Sequence, residues 1–202
     1  MKLSAKEVAE NRERVLDTAL QLFRERGFDS VSVADLMRKA GLTHGGFYNH
    51  FASKGDLEAE ACARAFVGST AVFRDAAAAP AGPGRKLGLA GYISRYLSRT
   101  WRDAPAAYCP MVAFSGDVGR GGPSVAASFA AGVEAYIAAL APLAGDDHDK
   151  AKARRKAISL TATLTGALTL ARAVRHSHPA LSDEILSTVR DDLLSEMLDT
   201  PE

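Results

Sequence analysis

The chain is poor in cysteine, in net charge and in long apolar runs, and each shortage excludes a class of protein. It has 202 residues and two cysteines, Cys62 and Cys109, with no CxxC pair. Neither a disulfide framework nor a structural zinc site is therefore expected. The formal net charge of +1 excludes a protein that binds nucleic acid through bulk positive charge alone.

Sequences for secretion and membrane insertion are also lacking. The N-terminus, MKLSAKEVAENRER, is charged and has no apolar core, so no signal peptide is expected. The least polar run, Ala157 to Ala171, has fifteen residues, including four Thr and one Ser. A bilayer span needs about 20 apolar residues. We expect a cytoplasmic protein with no membrane partner.

Common catalytic motifs are missing as well. The sequence contains no GxSxG, GxxxxGK[ST] or HExxH pattern. The segment Gly82-Pro83-Gly84-Arg85-Lys86 resembles a phosphate loop only superficially, because it lacks both the spacing and the Ser/Thr. The sequence predicts a non-enzyme with no cofactor and no metal site.

What the chain does have is helical periodicity. Apolar residues recur at three- and four-residue intervals, and no alternating strand pattern of useful length is found. The sequence predicts an all-α fold of about nine helices. The fifth helix is expected over Leu89–Trp101, and Ser182 is expected to cap the ninth. The Pro/Gly-rich stretch Ala76–Gly84 marks a flexible connection. We predict a DNA-binding domain over residues 1–56 and a larger helical domain over residues 57–202.

The stretch Val31–Lys54, VSVADLMRKAGLTHGGFYNHFASK, has the pattern of two short helices joined by a tight turn. Ser32 is followed three residues later by Asp35, a helix-start pattern, and Gly41 suits a helix end with positive φ. Thr43 can cap the second helix, whose buried face is Phe47 and Phe51. Its outward residues are polar, aromatic or small, as in a helix-turn-helix (residues 32–51) that offers its second helix to the major groove of DNA.

Residues 12–60 resemble the DNA-binding domain of the tetracycline-repressor (TetR/AcrR) family of bacterial transcriptional regulators. The likeness rests on the combination, in order, of Ala19-Leu20-Gln21-Leu22-Phe23, Gly27-Phe28, Ser32-Val33, Ala40-Gly41-Leu42-Thr43, Gly46-Phe47-Tyr48-Asn49-His50-Phe51, Ser53-Lys54 and Leu57. The resemblance implies contacts to DNA phosphates by Ser32, Val33, Thr43, Tyr48, His50 and Lys54. It implies that His44, Gly45, Gly46 and Asn49 lie where base edges are read, with the glycines allowing close approach.

The family keeps an effector cavity in its larger domain, so the resemblance also implies a small apolar effector. The candidate lining residues are Tyr92, Tyr96, Trp101, Phe114, Phe129 and Tyr136, although aromatic residues at helical spacing are more often core. Cys109 lies beside Pro110 at a helix start, where a thiol can become reactive, which makes a redox or electrophile sensor an alternative. The simpler interpretation of Cys109 is a small buried hydrophobe.

A homodimer is expected, because a helix-turn-helix regulator presents two recognition helices about 34 Å apart. The eighth helix is rich in Thr, Ala and Gly between Ser159 and Ala173, which allows close approach of a partner helix. The predicted interface residues are Leu164, Leu168, Ala171, Ile185, Val189 and Leu193. The alternative is that the protein's own core covers both faces.

These features predict a ligand-released repressor that binds a pseudo-palindromic operator, with activation left open. A helical scaffold that binds proteins and no DNA is the alternative class.

Overall fold

The computed structural model describes residues 4–78, 83–104, 109–145 and 148–199. Every regular element within these ranges is helical, which confirms the predicted all-α fold. Nine of them are α-helices and one, His44–Asn49, is a 3₁₀ helix. The α-helices are α1 (Ala5–Arg26), α2 (Val33–Lys39), α3 (Lys54–Ala77), α4 (Pro83–Tyr96), α5 (Arg99–Asp103), α6 (Pro110–Val118), α7 (Pro123–Ala144), α8 (Lys150–Val174) and α9 (Pro179–Asp199).

The chain forms two compact units that do not follow chain order. The first unit joins Met1–Val67 to Ala113–Val133, and the second joins Gly68–Val112 to Glu134–Glu202. The first unit thus contains the predicted helix-turn-helix together with parts of α6 and α7. The sequence-based boundary at residue 56 stays a prediction. Of the expected connection at Ala76–Gly84, residues 79–82 lie outside the described residues.

Two predicted helix boundaries are wrong. The expected fifth helix is broken at Ser98, whose backbone is extended (φ −108°, ψ 155°) and whose side chain accepts a hydrogen bond from the Trp101 N–H. The ninth helix begins at Pro179, before Ser182. Proline suits the first turn of a helix because the N–H it lacks has no partner there. The Ser182 hydroxyl instead donates to the Ala171 carbonyl at 2.7 Å, which fastens α9 to α8.

Arg102 connects α5 to α9 in the second unit. Its side chain is almost fully buried and donates to Ser182 Oγ at 2.7 Å and to Asp183 Oδ1 at 2.9 Å. Asp103 accepts from the same guanidinium, and these hydrogen bonds raise the pKa of Arg102. A charge with so little exposure to water is tolerated because its donors are satisfied.

Two helices, α7 and α8, are long and apolar enough to cross a membrane by length and composition alone. The fifteen-residue run noted in the sequence lies within α8. Core helices of soluble proteins have the same composition. In α8 the buried positions, among them Ala157, Leu164 and Leu168, pack within the chain itself. The expectation of no membrane partner stays a prediction.

In the first unit, α7 passes very close to α3 at Gly132. A Cβ atom at this position would lie 2.2 Å from Cδ2 of Phe66. The Phe66 ring is buried and packs edge-on against Phe129, with 5.5 Å between ring centroids, so it has little room to move.

Gly132→Ala is expected to lower the free energy of unfolding by about 1–3 kcal/mol, because the added methyl group overpacks this contact. Urea denaturation measures the change. Gly68→Ala in α3 is the matched control, since nothing lies within 4 Å of its Cβ position. It should raise the free energy of unfolding by about 0.5–1 kcal/mol through helix propensity. If Gly132→Ala were as stable as the unsubstituted protein, the close approach would be contradicted.

Candidate nucleic-acid interface

The two short helices are joined as the sequence predicts. Ser32 caps α2, because its Oγ accepts a hydrogen bond from the Asp35 N–H at 3.1 Å. Gly41 adopts a φ of 72° after α2, and the Leu42 N–H returns to the Met37 carbonyl at 2.9 Å. This turn fixes the direction in which the second helix leaves the first.

The second helix, His44–Asn49, is short and held by packing more than by its own hydrogen bonds. It is a 3₁₀ helix, and Thr43 makes no side-chain cap, contrary to the prediction. Two glycines in six residues also weaken a helix. Phe47 compensates, since its side chain is completely buried and its ring stacks on Phe51 with 5.7 Å between centroids.

Burial of Phe47 leaves one polar and aromatic face in water. His44, Gly45, Tyr48 and Asn49 are all exposed. The Tyr48 side chain is 66% exposed, and its ring rests edge-on against Phe47 at 5.3 Å. An exposed tyrosine suits a surface that contacts a partner, because tyrosine is enriched at interfaces. No atom lies within 4 Å of a Cβ built on Gly45, so a partner can approach the backbone there.

The Ser32 hydroxyl is less available to a phosphate than the resemblance implies. The Ser32 hydroxyl donates to Asp35 Oδ2 at 2.6 Å and is therefore engaged inside the chain. This hydrogen bond lowers the pKa of Asp35, which keeps an anion beside the start of α2. Arg38 also pairs with that carboxylate. The predicted phosphate contacts of Ser32 and Val33 stay predictions, and Val33 is the first residue of α2.

Lys54 and His50 are directed partly into the unit. The Lys54 ammonium donates to the Phe28 carbonyl at 2.7 Å and lies 3.2 Å from a Glu58 carboxylate oxygen. His50 is half-buried, and its Nδ1 atom is buried with no hydrogen-bond partner among the described residues. Their predicted phosphate contacts stay predictions, and the structure gives Lys54 a role in joining α3 to the α1–α2 turn.

Contacts from a distant part of the chain hold the turn before the two short helices, and no sequence pattern indicates them. Gly27 ends α1 with a φ of 76°, and the following Phe28 N–H donates to Asp117 Oδ2 at 2.9 Å. The Phe28 ring lies edge-on to Phe23 and stacks on Phe114, with centroid distances of 5.1 and 4.9 Å. Asp117 is 89 residues from Phe28 in the chain, so no local pattern indicates this contact.

A second unforeseen contact joins α1 to α3. The Arg12 guanidinium lies 4.7 Å from the centroid of the Phe51 ring and makes two hydrogen bonds to Glu60, at 2.8 and 2.5 Å. The hydrogen bond to Glu60 raises the pKa of Arg12. A cation over an aromatic face adds attraction to the packing of that ring. Arg12 thus covers the ring on which Phe47 stacks.

The six aromatic residues predicted to line an effector cavity are divided between the two units. Phe114 and Phe129 lie in the first unit, and the other four in the second. Within the second unit Tyr92 and Tyr136 share a hydrogen bond at 2.8 Å, and Tyr96 lies between Tyr92 and Trp101 with centroid distances of 5.6 and 6.0 Å. Tyr96 and Tyr136 are fully buried, so these rings form core, and their role as lining stays a prediction.

The six predicted dimer residues fall into two groups, a buried one on α8 and a half-buried one on α9. Leu164, Leu168 and Ala171 have no exposed surface, because α8 packs them against its own chain. They leave a partner nothing to contact, as the alternative interpretation of this face anticipated. Ile185, Val189 and Leu193 on α9 are half-buried. The exposed large apolar residues of α8 are instead Ile158 and Leu170.

Both cysteines are buried and free. Burial raises the pKa of Cys62 to about 11 and also raises the pKa of Cys109 above its ordinary value. The thiolate is the reactive form of cysteine, so burial disfavours reaction at either residue. The observation favours the simpler interpretation of Cys109 over a sensor.

Comparisons with known proteins match this geometry. The family profile for bacterial regulatory proteins of the tetR family matches residues 15–61. Residues 15–61 therefore carry a DNA-binding domain of the tetR-family type. The matched residues run from α1 into α3 and include the whole exposed face of the 3₁₀ helix.

Sequence similarity to curated relatives lies mainly in this segment. The HTH-type transcriptional regulator AcrR of Shigella flexneri is 43% identical over 54 residues, which are 27% of this chain and 25% of AcrR. SrpR of Pseudomonas putida, also an HTH-type transcriptional regulator, is 39% identical over 51 residues, 25% of this chain and 24% of SrpR. The matched part thus spans about a quarter of these relatives.

Solved structures extend the likeness in fold to almost the whole chain. The reduced form of E. coli NemR aligns with a TM-score of 0.76 at 20% identity, covering 91% of this chain and 94% of NemR. A TetR transcriptional regulator from Chloroflexus aurantiacus aligns with a TM-score of 0.75 at 22% identity, covering 96% and 98%. The second unit therefore shares the fold of TetR-family proteins.

Lys54→Ala separates the internal role of this residue from a phosphate contact. It is expected to lower the free energy of unfolding by about 1–2 kcal/mol, because the Phe28 carbonyl loses a charged donor. The salt dependence of DNA binding should stay unchanged. A residue that contacts a phosphate would reduce the slope of log affinity against log salt by about one. Such a reduction at full stability would restore the contact implied by the family resemblance.

Proposed function

We propose that the protein is a cytoplasmic transcriptional repressor that binds a pseudo-palindromic operator as a homodimer and is released by a small effector. The observation that carries the proposal is the exposed face of the 3₁₀ helix, beside the buried Phe47. Asn49 suits the paired donor and acceptor of adenine, and a histidine donor such as His44 suits guanine. The Tyr48 hydroxyl suits a phosphate oxygen.

Because the net charge is small, the positions of individual charged and polar groups must supply the affinity for DNA. Residues 1–56 contain nine Lys/Arg and eight Asp/Glu. Four of the basic side chains pair with carboxylates inside the unit: Lys6 with Glu10, Arg12 with Glu60, Arg38 with Asp35 and Lys54 with Glu58. Neutral donors and helix starts therefore have a larger part in gripping the phosphates than in a strongly basic domain.

An exposed stripe on α8 supports a dimer. Ile158, Ala162, Gly166 and Leu170 follow one another at four-residue intervals and are all exposed. Residues at this spacing lie on one face of a helix. Nothing lies within 4 Å of a Cβ built on Gly166, so a partner helix can approach there. A second copy of the chain would cover this stripe by two-fold symmetry, as regulators with paired recognition helices require.

If an effector releases the protein from DNA, binding in the second unit must affect the first unit. The helices α3, α6 and α7 each begin in one unit and continue into the other. Asp117, near the end of α6, holds the Phe28 N–H at the end of α1. A ligand that binds one conformer of the second unit more tightly shifts the population of both units, and only by that difference in affinity.

The first test is selection of bound sequences from random DNA. The unsubstituted protein is expected to enrich a pseudo-palindrome. His44→Ala and Asn49→Ala should each relax specificity by about 1–3 kcal/mol at one base position per half-site. His176→Ala, at an exposed histidine of the second unit, is the control and should select the same operator. Failure to enrich any sequence at low salt would favour the helical scaffold over the regulator.

The dimer is tested by Leu170→Glu. This leucine is 58% exposed, so the charge should leave the subunit folded while it disrupts the proposed interface. Sedimentation at micromolar concentration should show dimers for the unsubstituted protein and monomers for the variant. Leu87→Glu on α4 is the matched control, because Leu87 is 73% exposed and lies off the stripe. Equal dimerisation by all three proteins would contradict the α8 interface.

A further inference from the structure

Two buried hydrogen-bond donors in the second unit have no partner among the described residues. The Tyr96 hydroxyl and the Trp101 Nε1 atom make no hydrogen bond of normal geometry there, and both atoms are shielded from water. The whole Tyr96 residue is only 1% exposed. Such groups are uncommon in proteins, because a hydrogen bond to water has been lost and nothing replaces it. The two donors therefore need an explanation beyond the packing of the chain.

The neighbouring tyrosines are paired, which sets Tyr96 apart. The hydroxyls of Tyr92 and Tyr136 share a hydrogen bond at 2.8 Å. Phe73 packs edge-on against both of these rings, with centroid distances of 4.6 and 4.9 Å. The Cys109 thiol lies beside the Tyr96 hydroxyl, but a thiol is only a weak hydrogen-bonding group. Of the three hydroxyls, that of Tyr96 is thus the one that lacks a strong partner.

The rings of Tyr92, Tyr96 and Trp101 form an aromatic cluster that reaches the surface of the unit. The Tyr96 ring lies between the other two, with centroid distances of 5.6 and 6.0 Å. Tyr92 and Trp101 are half-buried, and the Arg95 guanidinium lies over their rings at 5.9 and 5.5 Å from the centroids. Arg95 is exposed, so its side chain can move aside without disturbing the core.

The chemistry of the two donors limits what can satisfy them. An indole N–H can only donate, and a phenol O–H donates readily, so the partner must carry a hydrogen-bond acceptor. Burial raises the pKa of both Tyr96 and Tyr136, as expected where the surroundings disfavour a negative charge. A neutral acceptor such as a carbonyl therefore fits better than a carboxylate. An aromatic ring on the same molecule would pack against the cluster, since aromatic pairs attract each other at centroid distances of about 4.5–7 Å.

We propose that the aromatic cluster binds a small neutral aromatic molecule with a hydrogen-bond acceptor, such as an aryl ketone. The Tyr96 hydroxyl donates to the acceptor, Trp101 supplies a second N–H, and the Arg95 side chain moves aside. The cluster is on α4 and α5 and shares no residue with the α8 stripe or with the predicted dimer residues. The inference rests on the proposed function, because this occupant is the effector that the function requires. Binding to the cluster itself needs no DNA.

The test is isothermal titration of the full-length protein with acetophenone and with α-methylstyrene. The two probes have the same shape, and only the ketone carries an acceptor. Tyr96→Phe is expected to weaken binding of acetophenone about fivefold to tenfold, the usual contribution of one hydrogen bond, and to leave that of α-methylstyrene unchanged or tighter. Trp101 is the only tryptophan of the chain, so a change in tryptophan emission shows that a probe binds beside it.

Stability gives a second readout that needs no ligand. Tyr96→Phe should leave the urea midpoint of unfolding unchanged or raise it, because the lost hydroxyl has no strong partner. Tyr136→Phe is the matched comparison and should lower the midpoint, because the Tyr92 hydroxyl would lose its hydrogen bond. An equal fall in both variants would overturn the proposal, since the Tyr96 hydroxyl would then have a partner in the free protein.

Three results of the titration would also overturn the proposal: no binding of acetophenone at millimolar concentration, binding without a change in Trp101 emission, or equal effects of Tyr96→Phe on the two probes. A protein that selects an operator but binds no acetophenone would refute this inference alone. Binding of acetophenone through Tyr96 by a protein that selects no DNA would refute the proposed function alone.

Discussion

Burial of Phe47 is the interaction on which the DNA-facing surface depends. The 3₁₀ helix has six residues, two glycines and no side-chain cap, so its own hydrogen bonds cannot hold it. Phe47 fixes it by stacking on Phe51, which Arg12 covers from α1. Because one side of the segment is anchored in the core, His44, Tyr48 and Asn49 are left on the other. A recognition surface that is positioned by packing needs little intrinsic helix propensity. This explains why Gly45 and Gly46 are tolerated, and they allow a partner to approach closely.

The same unit is reinforced from a distant part of the chain. Asp117 on α6 accepts the Phe28 N–H, Phe114 stacks on the Phe28 ring, and Lys54 holds the Phe28 carbonyl. Phe28, in the turn after α1, is thus held through its N–H, its carbonyl and its ring. Since α3, α6 and α7 each have residues in both units, the residues that position the recognition segment are covalently continuous with the second unit. We propose this continuity as the route by which the proposed effector acts on the recognition segment.

Sequence alone predicted the parts of the structure that depend on local chemistry. The cap at Ser32, the positive φ at Gly41 and the burial of Phe47 and Phe51 follow from residue type and spacing, and all were found. What could not be predicted depends on residues far apart in the chain. Whether Lys54 faces DNA or the Phe28 carbonyl, and whether Leu164 faces a partner or its own core, is decided by helices that periodicity cannot place.

The central claim is that the face of the 3₁₀ helix enters the major groove of DNA, once per subunit. Methylation protection on a selected operator tests it most directly, because guanine N7 lies in the major groove and adenine N3 in the minor groove. The account predicts two clusters of protected guanines with centres about one helical turn, or a whole number of turns, apart on one side of the duplex. Protection confined to adenine N3, or a single protected cluster, would contradict it.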